Sequence, residues 1–84
     1  AAALVLAAGS GIGGPVRAIL SGHAGHAQAP ADFPTAPAPA VRKLLSRLGW
    51  RVEDVDLWEV NEAFAVVPMA FMALTGVPHD RINV

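Results

Sequence analysis

Apolar positions along this chain follow two different periods, and glycine and proline separate the runs. Ala1–Ala8 is a continuous small-apolar run closed by a glycine cluster, a pattern that suits a strand buried on both faces. Val16–Leu20 predicts a second short strand, with Pro15 tolerated at its start. Val41, Leu44, Leu45 and Leu48 recur at i, i+3, i+4 and i+7, opposite Arg42, Lys43, Ser46 and Arg47. That stripe predicts a helix from about Pro39 to Leu48, with Pro39 at the first helical position and Gly49 as a left-handed stop. Val55–Val60 (VDLWEV) predicts a third strand, entered through Glu53-Asp54. Ala63–Leu74 has helical character ending at Gly76, and Arg81–Val84 reads as the start of another strand. Pro68 interrupts the second helix: either the helix kinks there, or Asn61–Val67 is an irregular turn and the regular helix starts at Pro68. The order β-β-α-β-α-β predicts an α/β fold with parallel crossovers.

Between Ser21 and Pro39 the chain is dominated by Ala, Gly, His and Pro, and Asp32 is its one charge. Four prolines between Pro30 and Pro39 predict an extended, polyproline-like path. The chain has 84 residues and is 54% hydrophobic, but seventeen of its residues are Ala, so the core is modest. The opening apolar run follows no Met and no basic segment, unlike a signal peptide. It reads as the interior of a buried strand, and the sequence is expected to be a fragment of a longer chain. There is no cysteine, which excludes a disulfide framework, a thiolate nucleophile and Cys-ligated zinc within these residues. Six Lys+Arg against seven Asp+Glu give a net charge of −1, which lacks the clustered positive charge that nucleic-acid binding requires. No apolar run approaches the ~20 residues needed to span a bilayer.

Several motifs carry possible chemistry. Gly9, Gly11 and Gly14 match G-x-G-x-x-G after a strand, the spacing with which a backbone approaches a pyrophosphate. Pro15 and Val16 follow instead of an amphipathic helix, so a nucleotide-binding module competes with a tight connection between two strands. His23 and His26 form H-x-x-H with no third ligand nearby, which favours exposed loop histidines over a metal site. Asp56 and Glu59 have opposite parity on their strand and do not form an acid–base pair. Asn61 and Glu62 lie where a strand ends and a helix begins, the edge at which open α/β sheets bind ligands. Asn61 can be the helix N-cap, or its neutral amide can hold a water or an oxyanion.

Asn61-Glu62-Ala63-Phe64-Ala65 resembles the N-E-A-F motif of thiolases, the acetyl-CoA acetyltransferase family. Ala1–Leu6 resembles the family's D-G-A-A-A strand, and Pro37–Ala40 with Arg42-Lys43 resembles its G-P-x-P-A-x-R-K-A helix entry. Asp54–Val60 resembles the strand that leads into N-E-A-F, and Ile82-Asn83-Val84 resembles the V-N-V before N-G-G-A. The likeness runs in order along nearly the whole chain. Gly9–Gly14 departs from it, since family members carry a helix there.

The resemblance implies a piece of the thiolase α-β-α layered fold. Residues 1–14 would end the N-terminal half, and residues 15–84 would begin the C-terminal domain. It implies reversible Claisen condensation of acetyl-CoA to acetoacetyl-CoA, with coenzyme A thioesters as substrates and no cofactor or metal. A longer-chain 3-ketoacyl-CoA thiolase or a sterol-carrier-type thiolase is the neighbouring alternative. Asn61 is the implied catalytic residue, fixing a water at the oxyanion site; Ala63, Phe64 and Phe33 are the implied substrate-binding residues. The nucleophilic cysteine, the G-H-P histidine and the C-x-G cysteine fall outside these 84 residues, which alone are expected to be inactive. The implied partners are acyl-CoA, the remainder of the chain and further copies in a homodimer or homotetramer, with no nucleic acid or membrane, in the cytoplasm.

Overall fold

Proline fixes φ near −65°, a value that polyproline, 3-10 and α conformations share, so side chains can decide which of these a Pro-rich segment adopts. In the computed structural model, which describes residues 1–9, 11 and 13–84, Pro30–Thr35 is a 3-10 helix rather than an extended path. Gln28 Nε2 donates to the Asp32 carbonyl and to Thr35 Oγ1 (2.8 Å), and Thr35 Oγ1 donates to the Asp32 carbonyl (2.9 Å). These bonds close the turn. Ala36 is itself helical (φ −57°, ψ −33°), so the chain runs on into α1, Pro37–Leu48. The helix thus starts two residues before the expected Pro39. Both prolines lie in its first turn, where amides have no intrahelical acceptor.

Helix α1 ends as its sequence predicts. Gly49 is left-handed (φ 68°), and the Trp50 N–H donates to the Leu45 carbonyl (3.0 Å), the long-range bond of a glycine C-cap. Leu45 of the apolar stripe is buried, and Val41, Leu44 and Leu48 are partly buried. The preceding segment lies against this stripe at Gly22, where a Cβ would come within 3.2 Å of Leu44 Cδ1 and Leu48 Cδ2.

Helix α2 spans Val66–Thr75 and stops at left-handed Gly76 (φ 78°). Pro68 sits in its first turn, so the interior kink is not needed; the irregular turn covers residues 61–65 rather than 61–67, and the regular helix starts at Val66, two residues before Pro68. Arg42 Nη2 donates to the Leu74 carbonyl (2.6 Å), which ties α1 to the C-terminal turn of α2. Ala38, Phe71, Val77 and Ile82 form the core, with Val41, Val52, Trp58, Val60 and Met72 packed against it.

The expected strands are largely unformed. Trp58 and Ile82 make an isolated parallel bridge, in which the Trp58 N–H donates to the Arg81 carbonyl and the Asn83 N–H donates to the Trp58 carbonyl, both at 2.8 Å. The bridge joins two of the predicted strands across α2, a strand–helix–strand connection of the expected parallel kind, one residue pair wide. His79–Arg81 is a 3-10 turn, so the last strand begins at Ile82 and not at Arg81. Ala1–Ala8 and Val16–Leu20 pair with nothing among the described residues, and Leu4, Val5 and Ile19 are 90%, 98% and 83% exposed. A strand needs a neighbour for its backbone groups, and an apolar run alone supplies none. Of the Gly9–Gly14 connection, positions 10 and 12 lie outside the described residues. No helix opens between Gly14 and Pro30, so the third glycine of G-x-G-x-x-G lacks the helix N-terminus that a phosphate cradle uses.

The turn entering the Trp58 segment is closed by Asp54, whose carboxylate accepts the Arg51 N–H (2.8 Å) and lies 3.5 Å from the Arg51 guanidinium. The backbone bond, foremost, holds this carboxyl below the ordinary aspartate value. Its contribution to stability is therefore present above the unfolded value and lost as pH falls through the lower folded one. NMR titration of Asp54 should give a midpoint below that of an unperturbed aspartate; an equal or higher one contradicts this turn. Phe71, only 1% exposed, should cost ~3–5 kcal/mol when replaced by Ala, measured by urea unfolding.

Candidate functional site

Three parts of the chain converge on a groove of about 440 Å³. Asn61, Ala63 and Val67 come from the turn into α2; Phe33, Ala36, Pro37 and Ala40 come from the 3-10 helix and α1; Ala24, Gly25 and His26 come from the loop against α1. The Pro-rich segment is thus packed against both helices and lines the groove. A polyproline ligand would instead need it exposed and extended. A second concavity of about 400 Å³, lined by Val52, Glu53, Trp58, Asp80 and Arg81 among others, holds none of the sequence-predicted site residues.

The N-cap of α2 is Ala65, with no side-chain capping bond, so Asn61 does not cap the helix. Pro68 explains this: a proline in the first turn sets where α2 can start, and that places Asn61 five residues before it. Among the described residues, no hydrogen bond engages the Asn61 carboxamide, and its donor and acceptor are open to a ligand or water at the groove. Among the described residues no carboxylate lines the groove. A neutral amide donor among small and aromatic apolar groups can hold an oxyanion or a water without changing protonation state.

Ala63 and Phe33 line the same groove. Phe64 is 65% exposed and joins it through Phe33, with ring centroids 6.1 Å apart and planes tilted by 57°. Glu62 faces away from chemistry of its own, since its carboxylate accepts a hydrogen bond from Asn83 Nδ2 (2.6 Å).

Sequence reasoning missed two residues. His26 was expected as an exposed loop residue, yet it is half-buried and lines the groove. Lys43 Nζ donates to its Nδ1 (3.1 Å), and its Nε2 pairs with Gln28 Oε1 (2.9 Å), an arrangement met by the tautomer protonated on Nε2. The i, i+4 spacing of Lys43 and Arg47 on the exposed face of α1 was the available signal, since Arg47 likewise donates to the His23 carbonyl (3.1 Å). No group of three metal-ligating side chains gathers among the described residues. Asn83 is the second; its carboxamide pairs with both backbone groups of Val60.

Comparison with known proteins points one way. Residues 14–84 match the family described as "Thiolase, C-terminal domain". The chain is 46% identical over 65 residues to a probable acetyl-CoA acetyltransferase of Dictyostelium discoideum, covering 77% of this chain and 16% of that protein. It is 44% identical over 86 residues to acetyl-CoA acetyltransferase 1 of Arabidopsis thaliana, covering 99% and 21%. A crystal structure of the Bacillus anthracis acetyl-CoA acetyltransferase superposes with a TM-score of 0.69 at 34% identity, over 73% of this chain and 16% of that one. The chain therefore spans 16% to 21% of the length of these relatives.

The Phe33–Phe64 contact is open to a double-mutant cycle. Phe33→Ala and Phe64→Ala should couple by about 0.5–1 kcal/mol in unfolding free energy, the low end for aromatic pairs because both rings are partly exposed. Strict additivity would contradict the contact.

Proposed function

The chain belongs to the thiolase family and its structure matches part of a thiolase, and on that premise we propose that the protein carrying it is an acetyl-CoA C-acetyltransferase. Its reaction would be the reversible Claisen condensation of two acetyl-CoA molecules to acetoacetyl-CoA and free CoA. The acyl-accepting cysteine must lie outside these residues, which contain none. In the first half-reaction its thiolate takes the acetyl group and CoA leaves. In the second, a base removes a proton from the methyl group of another acetyl-CoA. The resulting enolate attacks the acetyl carbonyl, a carbon–carbon bond forms, and the cysteine sulfur departs.

The role of this segment is to stabilise the charge that builds on the thioester oxygen during proton removal. The observation that carries the reading is Asn61 at a groove lined also by Ala63 and Phe33, its carboxamide without a hydrogen bond among the described residues. Its Nδ2–H₂ would hold a water against that oxygen, and preorganised donors of this kind act most strongly where charge develops. An aspartate here would repel the developing anion. Ala63 leaves width for the pantetheine chain, and the Phe33–Phe64 pair walls the acyl end. In this reading the layered α-β-α arrangement is completed by strand pairing of Ala1–Ala8 and Val16–Leu20, with the boundary between the two halves near Gly14. Their exposed apolar side chains favour such pairing.

Asn61→Ala in the full-length protein should slow condensation by about 10²–10³-fold while acylation of the cysteine changes far less. Separate assay of the two half-reactions checks this, and equal loss in both, or none, contradicts the role.

A further inference from the structure

We infer that Asn83 is a positioning residue for Asn61, an inference that rests on the reading of Asn61 above. Asn83 has φ 52°, and it is the one non-glycine residue with positive φ among those described. That conformation is unfavourable for most side chains, and Asn is among the few that visit it readily.

In exchange, its carboxamide does what the backbone of a neighbouring strand would do. Asn83 Oδ1 accepts the Val60 N–H (2.7 Å), and Nδ2 donates to the Val60 carbonyl (2.9 Å). Just before this, the Asn83 N–H holds the Trp58 carbonyl (2.8 Å). The side chain therefore extends the parallel pairing of Trp58 with Ile82 by one more residue. The second Nδ2 hydrogen goes to the Glu62 carboxylate (2.6 Å), a charge-assisted bond.

Asn61 lies between the two residues so clasped. Among the described residues its own side chain makes no bond that would orient it, so its place at the groove is set through Val60 and Glu62. Only an uncharged amide satisfies all three contacts at once. It needs an acceptor for one N–H and two donors, for a carbonyl and a carboxylate. A carboxylate of the same shape keeps the acceptor but turns oxygen against oxygen at Val60 and Glu62.

The test uses the full-length protein and three variants: N83D, N83G and N61A. The kcat and KM of condensation are measured across pH. N83D should lower kcat by ~10–100-fold at neutral pH, the scale of an ångström-level misplacement, with KM within about twofold. Glu62 on the facing segment touches the Asn83 amide, while Arg81 on its own segment is directed to the Val55 carbonyl (3.5 Å). Beside Glu62 the introduced carboxyl keeps its proton to higher pH and so regains a donor, so the N83D deficit should shrink on acidification. N83G keeps the left-handed backbone without the amide, and its deficit should stay constant with pH. Wild-type kcat in N83D and N83G, with N61A slowed, overturns this inference alone. Wild-type kcat in N61A overturns it together with the reading it rests on. Equal, pH-independent deficits in N83D and N83G accompanied by a raised KM mark a merely structural role and also overturn it.

Discussion

The parallel pairing of Trp58 with Ile82 is the constraint on which the arrangement depends. It is only one residue pair wide, but Trp58, Ile82 and the adjoining Val60 all contribute to the small core around Phe71. Burial of these side chains fixes where the Trp58 segment ends. The Asn83 amide then carries the pairing one step further and holds the peptide that precedes Asn61. Hydrophobic burial thus sets the position of the site, and directional hydrogen bonds set its orientation.

The opposite side of the groove is built differently. Prolines set the φ angles of the segment from Pro30 to Pro39, and the Gln28–Thr35–Asp32 bonds hold it helical. Lys43 and Arg47 reach across from α1 and anchor the His23–His26 loop. The groove therefore has one side tied to the core and one tied to the exposed face of a helix. Among the described residues the lining is mostly apolar, with Asn61 and His26 its polar members and no carboxylate, which is compatible with an anionic oxygen.

What could be read from the residues depended on the range of the interactions that decide each element. Helix α1 was legible because its stripe and Gly49 act within a few turns. Its first two residues were not, because Pro37 joins a helix only once the preceding turn is helical, and Gln28 ensures that from outside. Ala1–Ala8 and Val16–Leu20 carry apolar patterns suited to strands, but strand pairing is non-local and the described residues supply no neighbour. The two roles open to Asn61 in sequence were separated by Pro68, whose place in the first turn of α2 moves the cap to Ala65. The N-E-A-F run gave the location of the groove. The left-handed Asn83 left no periodic trace, since its carboxamide partners lie 21 to 23 residues away, and His26 left only the Lys43–Arg47 spacing, because Lys43 is 17 residues from it.

The proposed function rests on one amide, that of Asn61. The most direct measurement is a crystal structure of the full-length protein with acetyl-CoA bound. The account predicts an ordered water within about 2.7–3.1 Å of both Asn61 Nδ2 and the thioester oxygen. A thioester oxygen held entirely by other groups, with the Asn61 side chain directed out of the groove, would contradict it.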